Sequence, residues 1–143
     1  MTPRESVYQA LFTLVQSSAS FVTASRRLQH WTDVPAIQQP AIFIAQKDEE
    51  RMAVTNQPFI LRLNADIYIY TNSGGQSGVN PSTQMNNILD AVDVALLQSG
   101  GHENQTLGGI VSYCRISGKT QTDEGVLGDQ SVAIIPIEIL VNN

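Results

Sequence analysis

Apolar residues recur along this chain with two different periods, and the switches between them lay out the expected fold. Val7, Leu11, Leu14 and Val15 repeat at helical spacing, with Tyr8 and Phe12 widening the stripe, which predicts an amphipathic first helix. Thr2-Pro3-Arg4-Glu5 fits a capping box, with Thr2 as N-cap, Pro3 at the first helical position and Glu5 reaching back. The SSAS run at residues 17–20 ends the helix, because short hydroxyl side chains compete for backbone hydrogen bonds.

Period-two alternation then takes over. In residues 59–71, FILRLNADIYIYT, one face carries Leu61, Leu63, Ala65, Ile67 and Ile69. The other carries Arg62, Asn64 and Asp66, completed by Tyr68 and Tyr70, as a strand buried on one side requires. Residues 131–141, SVAIIPIEILV, repeat the pattern with Ala133, Ile135, Ile137, Ile139 and Val141 on the buried face. Pro136 falls on the opposite face with Val132, Ile134, Glu138 and Leu140. A proline cannot donate to a sheet ladder, so this strand is expected at an edge or bulged at Pro136. Its mostly apolar second face calls for cover, by another chain or by a loop.

Shorter runs fill in the rest. Residues 21–28 read as a strand, and residues 41–54 as a strand running into a charged hairpin tip at Lys47, Asp48, Glu49, Glu50 and Arg51. Two prolines in residues 29–40 argue against helix or central strand, leaving an ordered extended connection. Asn80-Pro81 opens a second helix over residues 81–98, with Met85, Ile88, Leu89, Val92 and Leu96 as its buried stripe and Ser99-Gly100-Gly101 as its stop. Residues 106–120 are a further strand, joined to the last by an acidic loop. The predicted order is α-β-β-β-α-β-β. It describes an α+β protein, one domain over residues 1–143, with a mixed, mainly antiparallel sheet of about five strands packed by two helices.

Composition narrows the function. The net charge is −5 and Arg26-Arg27 is the only basic pair, which argues against nucleic acid held on a basic face. Only 15% of residues are charged, so a polar surface can be buried against neighbours without desolvating many ions. The lone Cys114 excludes an internal disulfide framework and reads as a buried free thiol. No apolar run approaches the roughly 20 residues that span a bilayer, and no signal peptide is visible. The expectation is a protein made in the cytoplasm, soluble there unless carried elsewhere in an assembly.

Candidate chemistry is thin. The stretch SGGQSG at residues 73–78 lies between a strand and a helix but lacks both the dinucleotide fingerprint and a Gly-Lys-Ser/Thr ending. His30 and His102 lie far apart, without partners at metal-ligand spacing. No Gly-x-Ser-x-Gly elbow occurs. Asp123, Glu124 and Asp129 offer oxygen ligands, yet their spacing fails the calcium-loop pattern. Gly125 and Gly128 read there as turn positions. The residues themselves call for no catalytic group, cofactor or metal.

Two stretches carry a resemblance. WTDVPAIQQPAIF, at residues 31–43, and GKTQTDEGVLGDQSVAIIPIEILV, at residues 118–141, resemble the tail terminator (tail completion) proteins of long-tailed phages, the lambda-like minor tail proteins. LNADIYIYT, a Gly/Ser loop, a Pro-initiated helix and TLGG extend the similarity from Arg27 to the C-terminus. The resemblance implies a non-enzymatic virion protein at the tail-neck junction that forms a homohexameric ring. Such a ring ends polymerisation of the tail tube protein and docks the head-side stopper or connector, while DNA crosses its lumen without specific binding. The family offers no active-site motif, so the expected interface residues follow from charge placement. They are Lys47 to Arg51 and Asp123, Glu124 and Asp129 at hairpin tips, and Arg26, Arg27 and Arg62 as partners for carboxylates of the next subunit. Pro136 joins them as the mark of an unfinished strand. Two alternatives stand beside this reading. One is another neck ring, a head-completion stopper or adaptor; the other is a small metal-dependent hydrolase using His30, His102 and the acidic loop.

Overall fold

A computed structural model describes residues 2–53, 55–74, 80–97 and 105–142 of the chain. The elements run α1 (Arg4–Gln16), β1 (Thr23–Ser25), β2 (Ala41–Met52), β3 (Ile60–Asn72), α2 (Pro81–Leu96), β4 (Tyr113–Ile116), β5 (Gln121–Leu127) and β6 (Gln130–Asn142). The strands form one sheet in the order β1-β2-β3-β6-β4, and β5 also pairs with β6. Only β1 and β2 are parallel; every other pair is antiparallel. The α+β class and the mainly antiparallel mixed sheet are as the periodicities predict, with six strands in place of five.

Both helices pack on the same face. Val7, Leu11 and Val15 of α1 and Met85, Ile88, Val92 and Leu96 of α2 bury against Ile42, Ile44, Leu61, Leu63, Ile67, Ile69, Ile135, Ile137 and Ile139. Each such side chain removed from water contributes about 1.5–3 kcal/mol before the entropy of ordering it is set against the gain. Cys114 joins this core, and burial pushes its thiol up to about 12, which leaves it protonated and inert. Asn80 caps α2 by accepting from the Ser82 N–H at 3.0 Å, as expected. The expected stop at Ser99-Gly100-Gly101 lies outside the described residues, as do His102 and most of the glycine-rich loop after β3.

Five local expectations are corrected. The capping box does not form: Thr2 Oγ1 donates to the Ile110 carbonyl at 2.8 Å, Pro3 flanks the helix, and Glu5 is drawn to Arg26. Partners distant in sequence win over the local box. Residues 29–40 are not simply extended, because two short 3-10 turns, Trp31–Asp33 and Ala36–Gln38, occupy them. Pro35 stands immediately before the second turn, where its fixed φ and missing N–H cost nothing. Lys47 to Arg51 are not a hairpin tip. They lie inside β2, whose pairing with β3 continues to Met52↔Ile60 after a bulge between Gln46 and Glu49. The acidic loop is likewise mostly strand: Asp123, Glu124 and Gly125 belong to β5, and only Gly128 and Asp129 make the turn. Gly128 holds φ +73° there, a conformation that glycine reaches without strain.

The fifth correction concerns Pro136. β6 is the central strand, paired with β3 in unbroken register through Pro136↔Asp66, so it is neither an edge nor bulged there. Its other side is shared by β5, which pairs up to Ile134, and β4, which begins at Ile137. The Pro136 carbonyl accepts from the Ser117 N–H at 3.0 Å. A strand residue points its N–H and C=O the same way, so the missing N–H of Pro136 faces the seam between β4 and β5. Gly118, at φ +88°, turns the chain at that seam. The ladder loses nothing because no strand partner stands opposite. Replacing Pro136 with Ala is therefore expected to change the unfolding free energy by less than about 1 kcal/mol. Ile135→Pro, whose N–H points into the β3 ladder, is expected to cost about 3 kcal/mol or more. Chemical denaturation of both variants checks the contrast.

Candidate assembly surfaces

The face of the sheet away from the helices is where most of the charged strand residues gather. At one end, Trp31 and Val34 of the 3-10 segment pack on Ala41, Phe43, Tyr68, Tyr70 and Val132. This partly supplies the cover that the apolar second face of β6 requires. The Tyr70 hydroxyl donates to the Gln29 carbonyl at 2.7 Å and ties the segment down. His30 Nδ1 accepts from the Thr32 N–H at 3.2 Å, capping the first 3-10 turn, with its ring tilted against Trp31. That histidine has a structural task.

Beyond the segment the face is a lattice of cross-strand charges. Glu138 of β6 is 9% exposed and sits among three neighbours. The Tyr113 hydroxyl donates to it at 2.5 Å, Arg62 Nε lies 3.3 Å away, and Arg115 Nη2 lies 3.6 Å away. Arg62 also donates to Glu50 at 3.1 Å, and the Arg115 guanidinium stacks over the Tyr113 ring at 4.3 Å. The Tyr113 hydrogen bond, with help from Ser117 and the two arginines, holds the Glu138 carboxyl below the usual carboxylate range against its desolvation. Desolvation and the same carboxylate push the Tyr113 phenol up. Nearer the covered end, Lys47 Nζ lies 3.7 Å from Asp66, and Asn64 donates to Asp48 at 2.7 Å. Lys119, Tyr68, Ile134 and Pro136 join Lys47 and Asp66 around a cleft of about 480 Å³.

The expected interface residues separate into three places. Lys47, Asp48, Glu50 and Arg62 are spent within this lattice, so Arg62 already has carboxylate partners in its own chain. Glu49 and Arg51 lie on the helix side: Glu49 pairs with Arg4 at 2.7 Å, and Arg51 stacks over Phe59 at 4.2 Å. Arg26 and Arg27 follow β1 at one margin of the sheet, where Arg26 Nη2 donates to Glu5 Oε2 at 3.2 Å. Asp123, Glu124 and Asp129 lie at the opposite margin, on β5 and its turn. Asp123 Oδ1 and Ser131 Oγ there are buried without a hydrogen-bond partner among the described residues. Pro136 sits in the cleft at the centre.

The Glu138 cluster escaped sequence reasoning although one signal was available: Glu138 is the only charged residue in β6. Its partners Tyr113 and Arg115 come from β4, a strand too short for periodicity to phase. Among the described residues, no group of three or more His, Cys, Asp or Glu side chains could hold a metal ion. The described surfaces carry a charge-paired face and two strand margins.

Two helices on one face of a six-stranded mixed sheet define a two-layer α+β protein. No protein-family model matches the chain, and no curated protein does. Among solved structures, a chain of the virion of a native gene transfer agent particle is similar, with a TM-score of 0.51 and 11% identity, over 96% of this chain and 92% of that chain. At 11% identity the likeness is one of fold.

The Glu138 carboxyl titrates below its unfolded value of about 4.3. Its contribution to stability is therefore complete above that value and is lost as pH falls through the lower folded one. Tyr113→Phe removes the strongest of its stabilising contacts. A carbon-13 NMR titration of the Glu138 side chain should show the pKa moving up in the variant, and the onset of acid unfolding should move to higher pH.

Proposed function

We propose that this protein is a structural subunit of a phage-like virion. In this reading it forms a closed homomeric ring, of six copies, that caps the tail tube at the neck. The ring stops addition of tube protein and presents a docking face to the head-side connector. DNA traverses its lumen without sequence-specific contact, and the role is structural rather than enzymatic. The observation that carries the reading is the similarity of fold, over nearly the whole of both chains, to a component of a gene transfer agent virion. It agrees with the resemblance of residues 31–43 and 118–141 to tail terminators.

The surfaces support this reading. A net charge of −5 disfavours retention of a polyanion passing through a ring. On the helix-free face, fixed charges are largely neutralised in cross-strand pairs, so they can be covered at modest desolvation cost. A head-completion stopper or adaptor shares many of these properties, and tail length separates the two roles. Particles assembled without a terminator carry overlong tails; particles lacking a stopper carry tails of normal length that fail to join heads.

Electron microscopy of particles made without this protein is therefore expected to show overlong tails. Normal-length unattached tails would move the protein to the neighbouring ring. Joint charge reversal of Asp123, Glu124 and Asp129 is expected to reduce the yield of joined particles at least about tenfold, while circular dichroism of the purified subunit stays that of the wild type. Normal virions from this triple variant would remove the acidic margin from the interface.

A further inference from the structure

The two margins of the sheet differ in charge, and the difference is complementary. On one side the outer edge of β5 has no strand partner among the described residues, and Asp123 and Glu124, adjacent on it, have no ion-pair partner among them either. The neighbouring edge strand β4 is partly closed off, because Cys114 donates to the Gln105 carbonyl at 2.8 Å. On the other side, β1 is an edge strand followed by Arg26 and Arg27. Val22 and Leu28 flank it with 62% and 40% of their surfaces exposed. A bare edge presents unpaired N–H and C=O groups to any compatible strand. Apolar side chains beside such an edge gain by being covered.

We infer that the β5 edge of one copy pairs with the β1 edge of the next, Asp123 and Glu124 meeting Arg27 and Arg26. This deepens the ring reading and rests on it. The pairing is heterologous, edge to opposite edge, and such contacts close into rings when the rotation between copies allows it. Strand directions agree. β5 runs antiparallel to β6, β6 to β3, and β3 to β2, while β1 runs parallel to β2. With neighbouring copies in the same sense, β5 therefore lies antiparallel to β1 of the next.

The faces agree for the pair of Glu124 with Arg26. Asp123 stands opposite Val132, on the helix-free side, and Glu124 stands opposite Ser131, on the helix side. Ser25 stands opposite Phe43 on the helix-free side, and β1 ends there: the Arg27 N–H donates to Ser25 Oγ at 2.9 Å, which holds Arg27 in a bend just past the strand. Arg26 reaches Glu5 on α1 and so lies on the helix side. An antiparallel register that sets Asp123 beside Arg27 also sets Glu124 beside Arg26, and Glu124 and Arg26 then share the helix side. Arg26 would bridge Glu5 of its own chain and Glu124 of its neighbour. The contact also covers Val22 and Leu28.

The test is a charge exchange between the two margins. One variant carries D123K and E124K, the other R26E and R27E, and thermal unfolding confirms that each folds. Native mass spectrometry follows assembly across concentration for wild type, each variant and their equimolar mixture. Each variant alone is expected to need at least about tenfold more protein than wild type to assemble. The mixture is expected to recover wild-type assembly, because every margin then meets its opposite charge. In a second arm, E124C with R26C in one chain should yield disulfide-linked ladders on mild oxidation, as directly opposed antiparallel residues lie within disulfide range. The buried Cys114 is expected to remain unlinked. Wild-type protein that assembles while both charge variants assemble equally well, without ladders from the cysteine pair, overturns the edge pairing and leaves the ring standing. Wild-type protein that stays monomeric throughout overturns the ring, and this pairing with it.

Discussion

Everything in this molecule is built on the shared strand β6. It pairs with β3 along its whole length on one side, and with β5 and β4 in succession on the other. Its helix-side residues Ala133, Ile135, Ile137, Ile139 and Val141 are all essentially buried. Removing this strand would leave β4 and β5 without a ladder and β3 with one open side. β6 also follows the other five strands in sequence, so both helices have no complete floor until it is in place. Such long-range pairing is slow to form compared with local contacts, but it places α1 and β6 in one cooperative core.

Pro136 illustrates how the constraint is met. A proline in a central strand is tolerated only where its absent N–H has nothing to donate to. Here the two strands on one side of β6 stop short of each other at that residue. Pro136 and the Gly118 turn thus belong to one solution: the turn leaves a gap, and the proline occupies the gap's edge. The same seam opens the cleft between Lys47, Asp66, Lys119 and Ile134 on the helix-free face.

The two faces of the sheet follow different physics. On the helix side, apolar burial sets the arrangement, and the charged exceptions Glu49 and Arg51 are paired at the rim. On the other side, Glu138, Arg62, Glu50 and Arg115 neutralise one another across strands. Exposed pairs such as Arg62–Glu50 contribute little each, about 0–1 kcal/mol, and Glu138, though buried, faces arginines that stay partly exposed. The larger effect of these pairs is to fix register and to leave a face that is patterned but nearly neutral. At the margins, Arg26 and Arg27 follow β1 while Asp123 and Glu124 lie on β5.

Periodicity along the chain suffices to place both helices, the strands β3 and β6 and the side of each that is buried. Those features depend on periodicity within a dozen residues, and Leu61 to Ile69 or Val7 to Val15 carry it unambiguously. The α+β class and the inert thiol at Cys114 are legible in the sequence as well. Which strands are central depends on non-local pairing alone. The proline that argued for an edge in β6 is excused by a gap made by residues 117–120, distant in sequence and carrying no periodic signal. Likewise, the charged run Lys47 to Arg51 looks like a turn until its partners Arg62, Asn64 and Asp66 arrive from β3. The acidic run before β6 looks like a loop until β6 supplies its ladder. In each case the deciding interaction is a hydrogen bond or ion pair with a non-local strand, a term that no reading of neighbours along the chain contains.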